Sequence, residues 1–250
     1  MNELVSIITP CYNAEKHIGL TIESVLSQSY QNWEMFIVDD CSTDRSEEII
    51  RSYCAKDQRI HYYKTDSPTG GPTIPRNIAI EKANGRFIAF LDSDDVWLPT
   101  KLERQISCFS DEKTAVVFSN HEKINEQGER KNRLVVAPKA ASYKELLKEN
   151  IIRNSAGVYD TEKVGKVYLQ EVDYEDFVLW LEILKRGYIA KNTNTLEILY
   201  RIRKNSISED KIRAAKWTWN IYRNVEKLSL MRTLYYFSHY CVRAGLKHLK

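Results

Sequence analysis

The stretch that decides the fold is Arg86-Phe-Ile-Ala-Phe-Leu-Asp-Ser-Asp-Asp-Val-Trp97, an apolar run that ends abruptly in three carboxylates. Its five apolar residues, 87–91, predict a strand that is buried on both faces. Asp92, Asp94 and Asp95 follow at the carboxyl end of that strand. Ligands of open α/β sheets bind beyond the carboxyl ends of the strands. The stretch therefore predicts both a central strand and a ligand site next to it.

The three neighbouring carboxylates allow two interpretations. They repel one another unless a positive group lies among them, and Mg²⁺ or Mn²⁺ commonly uses one or two carboxylates together with substrate phosphates. Alternatively, the acids form a solvated turn, and Asp94 or Asp95 caps the helix predicted after Pro99. An isolated Asp-x-Asp pair is too short to decide between them.

Composition narrows the class of protein. A hydrophobic fraction of 43% and a charged fraction of 28% are typical of a folded globular chain and exclude disorder. No apolar run approaches the roughly 18 residues of a membrane-spanning helix, and the start Met1-Asn-Glu lacks the features of a secretory signal. We therefore expect a cytoplasmic protein. The five cysteines are odd in number and form no CxxC pair, which favours reduced thiols over a zinc site.

Strands and helices alternate four times over the first 110 residues. The predicted strands are 4–9, 34–38, 60–64 and 87–91, and the predicted helices are 15–29, 46–55, 74–83 and 101–109. This alternation predicts an α/β fold with a Rossmann-like, mostly parallel sheet and helices on both faces. The second strand also ends in acids, Asp39 and Asp40, so two strands place carboxylates at one edge of the sheet.

The second half is less regular. Short strands are predicted at 115–118 and 134–136 around a hairpin-like segment 125–128, followed by helices at 143–148 and 173–187 and a strand at 195–203. Glu175 and Asp176 lie in the first turn of the second helix. These two acids either complement the helix dipole or belong to a site.

The C-terminal segment 211–250 differs in charge from the rest. It holds nine Lys or Arg and one acid, Glu226, a net charge of +8, so residues 1–210 carry −5 of the total of +3. We predict two helices broken near Ser229, with aromatic residues interleaved among the cations. The segment either lies on the inner face of the cytoplasmic membrane as a peripheral anchor or packs on the rest of the chain. Nucleic-acid binding is not expected, because residues 1–210 are acidic.

Five motifs together resemble the family 2 glycosyltransferases, which have the GT-A fold. They are Ser6-Ile-Ile-Thr-Pro-Cys-Tyr-Asn13, Val38-Asp-Asp-Cys-Ser-Thr-Asp44, Gly70-Gly71 with Arg76-Asn77, Leu91-Asp-Ser-Asp-Asp95, and Glu175-Asp176. Each motif is modest, but all five occur in the family's order and approximate spacing over about residues 4–208. The resemblance implies a catalytic domain at 1–210, with a nucleotide-binding half at 1–113 and an acceptor-binding half at 114–210. A helical tail at 211–250 would follow.

The resemblance also implies roles for residues in the first half. Pro10, Tyr12 and Asp40 match the pocket for the nucleotide base, with Tyr12 against uracil and Asp40 accepting from the ring N–H. Arg76 resembles the family residue near the ribose and diphosphate. Asn13 ends the first motif and is a further candidate.

The resemblance assigns some of the carboxylates to a metal site and one to a general base. Asp92 and Asp94 match the Asp-x-Asp pair, in which Asp94 contacts Mn²⁺ or Mg²⁺ and Asp92 contacts the ribose or a metal-bound water. Asp95 and Glu175 are further candidates. Asp176 matches the general base.

A looser motif follows in the chain. Tyr200, Arg203, Ser206 and Ser208 resemble residues that close over the diphosphate. This chain has Lys204-Asn205 where many relatives have a His-Pro or similar pair, which puts the phosphate contacts of this loop in question.

The implied activity is transfer of a sugar from a nucleotide donor, best matched by a UDP-sugar, to a hydroxyl of a glycan acceptor that can be lipid-linked. The implied setting is bacterial capsule or lipopolysaccharide synthesis. A metal would stabilise the diphosphate leaving group, and one base opposite that group implies inversion and a β-linked product.

Three other interpretations were compatible with parts of the sequence. Asp92-Ser-Asp-Asp-Val96 also fits a phosphatase of the haloacid dehalogenase type with Asp92 as nucleophile, but three predicted strands precede it. A nucleotidyltransferase would carry a glycine-rich basic loop after its first strand, unlike Pro10-Cys-Tyr-Asn13. A non-catalytic subunit that binds a nucleotide sugar is the third alternative.

Overall fold

The strand predicted from the opening stretch lies within a large mixed sheet. A computed structural model describes residues 3–202 and 211–246, and the bounds below refer to them. The strands are β1 (Val5–Cys11), β2 (Trp33–Asp39), β3 (Ile60–Lys64), β4 (Phe87–Phe90), β5 (Val96–Trp97), β6 (Thr114–Ile124), β7 (Arg130–Val135), β8 (Ala140–Ala141), β9 (Val158–Asp160) and β10 (Ile189–Arg201).

The helices flank this sheet. They are α1 (Ile18–Leu26), α2 (Ser46–Cys54), α3 (Thr73–Lys82), α4 (Lys101–Ser107), α5 (Tyr143–Leu146), α6 (Thr161–Val164), α7 (Glu175–Lys185), α8 (Lys211–Asn220) and α9 (Leu230–Leu246). A 3₁₀ turn spans Asn154–Ala156, and a π-helical turn at Ile221–Val225 continues α8.

The sheet is mixed, and the four strands predicted in the first half are parallel to one another, as predicted. Its order is β3-β2-β1-β4-β9-β6-β10-β5, with β7 on β6 and β8 on β10. Strands β3, β2, β1 and β4 are parallel, and β10 is parallel to β6, whereas β9 runs antiparallel between β4 and β6. Ile8 lies opposite both Phe36 and Phe90, so β1, β2 and β4 end at the same edge.

Alternate residues of the central strands enter two apolar cores. Ile8 and Phe90 pack with α3 and α7 on one face, and Ile7 and Phe87 pack with α1, α2 and α4 on the other. All four side chains are fully buried, and burial of each such side chain contributes about 1.5–3 kcal/mol. This two-sided burial explains the continuous apolar runs in the sequence.

The second half departs most from the predicted bounds. Strand β10 begins at Ile189, whereas the sequence predicted a start at residue 195. The register of β10 shifts across the polar stretch between Asn192 and Leu196, where Asn194 has a φ of 61°. This irregular stretch conceals the first part of the strand in the sequence. Strand β6 extends to Ile124 rather than ending at 118. Its buried Glu122 is paired with Arg130 of β7 at 2.5 Å. This ion pair allows the polar second part of β6 to be a strand of the sheet.

The C-terminal helices pack on the rest of the chain. Tyr222 is fully buried, and its hydroxyl donates to the carbonyl of Leu147. The Glu226 carboxylate accepts from the Tyr143 hydroxyl at 2.5 Å and from Lys185 Nζ at 2.8 Å. The predicted break near Ser229 lies between the π-helical turn and α9. These contacts agree with the packing interpretation of this segment.

Candidate active site

Two adjoining cavities open beyond the carboxyl ends of β1 and β4. The smaller cavity, about 600 Å³, is lined by Pro10, Tyr12, Asp40 and other residues. The larger cavity, about 940 Å³, is lined by Glu175 and Asp176 among others. The residues that line both cavities are Gly70, Gly71, Pro72, Arg76, Asp92 and Asp94. The structure thus brings most of the predicted site residues to one edge of the sheet.

Asp40 shapes the wall of the smaller cavity. It directly follows β2, and its backbone N–H donates to the carbonyl of Cys11 at 2.8 Å. Its carboxylate accepts from Thr65 Oγ1 and from the Thr69 N–H, both at 2.9 Å. Asp40 therefore fixes the loop that carries Gly70 and Gly71. At the same cavity Tyr12 keeps 56% of its surface exposed, so the ring is accessible.

Asn13 lies beside this cavity and has a local role. It has a φ of 46°, and its side-chain oxygen accepts from the Thr43 N–H at 2.8 Å. Its own N–H donates to Ser42 Oγ at 2.9 Å. Asn13 therefore ties the loop after β1 to the loop after β2.

Arg76 connects the two groups of acids. Its side chain is buried, Nη2 lies 2.6 Å from Asp92 Oδ1, and Nη1 pairs with the Glu175 carboxylate. Burial disfavours the charged guanidinium, but the charges of Asp92 and Glu175 outweigh it and raise the pKa of Arg76. Arg76 is thus a permanent cation between the Asp-x-Asp stretch and the start of α7.

Asp95 differs from the other two acids of its stretch. It is 1% exposed; Oδ2 accepts from Ser155 Oγ at 2.6 Å and Oδ1 from the Arg201 N–H at 2.9 Å. Burial, with the charges of Asp94 and Asp92, raises the pKa of Asp95 well above its ordinary value. These contacts tie the loop after β4 to β10 and to the 3₁₀ turn.

Asp92 and Asp94 have the properties of ligands for a hard divalent cation. Both are partly exposed at the boundary of the two cavities. Within the described residues, no three His, Cys, Asp or Glu side chains are arranged to hold a metal by themselves. Mg²⁺ and Mn²⁺ commonly bind through one or two carboxylates and complete their coordination with water and substrate phosphates. The residues present therefore fit such a cation.

Asp176 faces the larger cavity from the first turn of α7. The helix begins after Tyr174, whose φ of 57° is left-handed, a conformation often found at functional sites. Asp176 Oδ1 accepts from the Phe177 N–H at 2.7 Å. Burial and the neighbouring Glu175 charge raise the pKa of Asp176 to about 7, against the opposing charges of Arg76 and Arg153. A carboxyl group with this pKa can accept a proton near neutral pH.

Part of the predicted loop lies outside the described residues. These positions are Arg203, Ser206 and Ser208, with Lys204-Asn205. Tyr200 is described, and it lines the larger cavity.

Sequence reasoning missed several residues of the larger cavity. Arg153, Trp217 and Asn220 line it without belonging to any motif. Arg201, at the end of β10, is 3% exposed and donates to the carbonyls of Asp94, Asn125 and Glu126 at 2.8–2.9 Å. Only the density of aromatic residues in the C-terminal segment hinted at Trp217.

Known proteins identify the family. The family described as Glycosyl transferase family 2 matches residues 6–169. The putative teichuronic acid biosynthesis glycosyltransferase TuaG of Bacillus subtilis is 39% identical over 247 residues, which are 98% of each chain. The chain belongs to glycosyl transferase family 2. This membership excludes the phosphatase and nucleotidyltransferase interpretations.

Other similar proteins agree with this assignment. The Escherichia coli UDP-Glc:alpha-D-GlcNAc-diphosphoundecaprenol beta-1,3-glucosyltransferase WfgD is 38% identical over 249 residues, covering 98% of this chain and 95% of WfgD. S. aureus TarS 1–349 in complex with UDP-GlcNAc superposes with a TM-score of 0.70 at 19% identity, covering 96% of this chain and 71% of that TarS chain. The mannosyltransferase PcManGT from Pyrobaculum calidifontis, solved with GDP-Man and Mn²⁺, gives a TM-score of 0.69 at 18% identity, covering 90% and 64%. The family 2 chain thus has the GT-A fold.

Proposed function

We propose that this glycosyltransferase moves a hexose from a UDP-sugar to a hydroxyl of a lipid-linked glycan during synthesis of a bacterial surface polysaccharide. The observation that carries the proposal is the arrangement around Arg76, with Asp92 on one side and the start of α7 on the other. A donor diphosphate near Asp92 and Asp94 and an acceptor hydroxyl near Asp176 would occupy adjoining spaces. The name of WfgD supports both the UDP donor and the lipid-linked acceptor.

On the donor side, Tyr12 packs against the nucleotide base and Asp40 accepts from its ring N–H. Asp40 is already oriented by Thr65 and Thr69, so little side-chain entropy is lost when the base binds. Arg76 lies near the ribose and diphosphate, held in place by its two carboxylate partners.

Asp94, with Asp92, would hold a divalent cation, which neutralises charge on the diphosphate leaving group when it is bound. The Mn²⁺ in PcManGT supports this choice of ion. Arg201 positions the Asp94 backbone by donating to its carbonyl, so the loop is held whether or not the donor is present.

Asp176 takes the proton from the acceptor hydroxyl. A base with a pKa near 7 is about half ionised at neutral pH and is basic enough to accept the proton. A single base on the face opposite the leaving group leads to inversion, by analogy with inverting hydrolases. With an α-linked donor the product is β-linked.

We also propose that the enzyme works at the inner face of the cytoplasmic membrane and contacts it through α9. The described chain contains no helix with the length and apolar character needed to cross a bilayer. On α9, however, Met231, Leu234, Tyr235 and Val242 are each about half exposed or more. Such apolar side chains within a basic segment fit anionic lipid headgroups and the interface below them.

Flotation with liposomes tests the membrane contact. Met231→Ser with Leu234→Ser should lose binding to anionic liposomes, and Leu20→Ser, at an exposed apolar position of α1, is the matched control. Equal flotation of all three proteins would overturn the membrane proposal. Deleting the whole segment would be a poor test, because Ile221, Tyr222 and Leu228 belong to the core.

Product analysis tests the transferase proposal. Purified enzyme is incubated with Mn²⁺, an N-acetylglucosaminyl diphosphate lipid and, separately, UDP-glucose, UDP-galactose and their N-acetylated forms. We expect one donor to give a disaccharide whose anomeric proton coupling is that of a β-linkage. An α-linked product would overturn inversion, and no transfer from any of these four donors to this lipid-linked acceptor would overturn the function.

A further inference from the structure

Helix α8 forms one wall of the larger cavity. Trp217 and Asn220 line this cavity together with Tyr174, the residue that precedes α7. The rings of Trp217 and Tyr174 are perpendicular, at 87°, with centroids 5.1 Å apart. An aromatic surface with a neighbouring amide is suited to a sugar, which has apolar C–H faces and polar hydroxyl edges.

The position of Trp217 is fixed by the residues that follow it. Tyr222 and Glu226 are buried and bonded to Leu147, Tyr143 and Lys185 of the preceding chain. These bonds hold the chain that follows α8 against the preceding part of the protein.

Trp219 offers a direct comparison on the same helix. Its ring meets Phe237 of α9 at 5.1 Å and 87°, the same geometry that Trp217 has with Tyr174. Trp219 does not line the larger cavity. Trp217 therefore contributes to the cavity, whereas Trp219, two residues later, packs between helices. Substituting each in turn distinguishes the two roles.

Arg153 supplies a cation on the Asp176 side of the cavity. Its guanidinium lies 5.2 Å from the ring centroid of Tyr200. Across residues 3–202 and 211–246, no carboxylate forms an ion pair with Arg153, although Arg76 has two such partners. A cavity arginine without a carboxylate partner is suited to bidentate binding of an anionic ligand group such as phosphate.

We propose that Trp217, Tyr174 and Arg153 form the subsite for a glycosyl phosphate acceptor. The acceptor sugar packs on Trp217, its hydroxyl faces Asp176, and its phosphate pairs with Arg153. This inference rests on the proposed transferase function and adds the residues that recognise the acceptor sugar and its phosphate.

Calorimetry on the full chain with Mn²⁺ tests the subsite. One titrant is UDP. The others, added to the UDP-saturated enzyme, are N-acetylglucosaminyl α-diphosphate with a short alkyl chain and the uncharged octyl α-N-acetylglucosaminide. Trp217→Ala should weaken both sugar ligands roughly tenfold, a loss of about 1.4 kcal/mol, while Trp219→Ala binds them like wild type. Arg153→Gln should weaken only the diphosphate ligand.

The outcomes separate the phosphate of the acceptor from that of the donor. Weaker UDP binding by Arg153→Gln, with the acceptor ligand unaffected, would assign Arg153 to the donor and overturn the proposal. Equal acceptor binding by Trp217→Ala and Trp219→Ala would also overturn it, as would a wild-type enzyme that binds UDP but neither sugar ligand. Trp217→Phe, which keeps a ring, should restore much of the affinity and exclude a folding defect. A wild-type enzyme that neither binds UDP nor transfers sugar would instead contradict the proposed function.

Discussion

The two halves of the molecule reach the active site in different ways. In residues 4–113, parallel strands end at one edge, and Pro10, Asp40 and Asp92 lie at or just after a strand end. In the second half, the groups that face the larger cavity come from a helix start, a loop and the C-terminal helices, as Asp176, Arg153 and Trp217 illustrate. The proposed donor side is thus built by sheet topology, and the proposed acceptor side by packing between distant segments.

This difference predicts that the two halves tolerate substitution differently. Strand ends cannot move without disturbing both cores. Loops and helix faces can change with little effect on the sheet. Substitutions in the first half should therefore affect donor binding, and substitutions in the second should affect turnover and acceptor choice.

The largest effect is expected at Asp176. Replacement by Asn removes the proton acceptor but keeps a similar shape, so kcat should fall about 10³-fold while the Kd for UDP stays within twofold. Steady-state kinetics and UDP calorimetry on the same preparation check both values. Glu182→Gln, on the exposed side of α7, is the control and should keep full turnover. Unchanged kcat in Asp176→Asn would remove this residue from the chemistry.

A smaller effect, confined to the donor, is expected at Asp40. Asp40→Ala releases Thr65 and Thr69 and removes the acceptor for the base N–H, so UDP affinity should fall roughly 10²-fold, or about 2.7 kcal/mol. Asp57→Ala is the matched control, because Asp57 pairs with Arg59 at the opposite edge of the sheet. Equal UDP affinity in the two variants would argue against a base pocket at Asp40.

Substitution of two glycines by alanine, one in each half, should change the stability of the fold in opposite directions. A Cβ at Gly157 would lie 2.3 Å from the Trp180 ring, so Gly157→Ala should destabilise the fold by about 1–3 kcal/mol. Gly19, in α1, has room for a methyl group, with its nearest neighbour at 3.6 Å, and Gly19→Ala should stabilise by about 0.5–1 kcal/mol. Urea unfolding measures both, and equal stability of Gly157→Ala and wild type would contradict the packing behind α7.

The pH dependence of kcat/KM should depend on Asp176, which lies in the second half. Because the base must be ionised, log kcat/KM should fall with a slope near one below about pH 7, while UDP affinity changes less. A kcat/KM that is flat from pH 5 to pH 8 would contradict the assignment of the base.

Asp176 should also affect the pH dependence of stability, in the direction opposite to its effect on activity. The pKa of Asp176 is about 7 in the folded protein and roughly 3.9 in an unfolded chain. Protonation therefore favours the folded state, and this contribution is complete below pH ~3.9 and is lost as the pH rises through about 7. Asp176→Asn should remove this part of the pH dependence of unfolding.

The contrast between the two halves also determines how much of the structure could be predicted from the sequence. The strands of the first half, their parallel pairing and the carboxylates Asp40 and Asp92 at one edge followed from apolar runs and turn residues, whereas the place of Arg76 followed from the family resemblance. The early start of β10 did not, because its polar bulge hides the alternation of a strand. Arg153 and Trp217 could not be placed either, since their proximity depends on tertiary packing that leaves no local pattern.

The most direct test of this account is calorimetric titration of UDP into wild type and Asp94→Ala, each with Mn²⁺ and with EDTA. We predict tight binding by the wild type with Mn²⁺, much weaker binding with EDTA, and a similar weak affinity for Asp94→Ala under both conditions. Mn²⁺-dependent UDP binding that survives in Asp94→Ala would contradict the metal assignment. No UDP binding by the wild type under either condition would contradict the donor site itself.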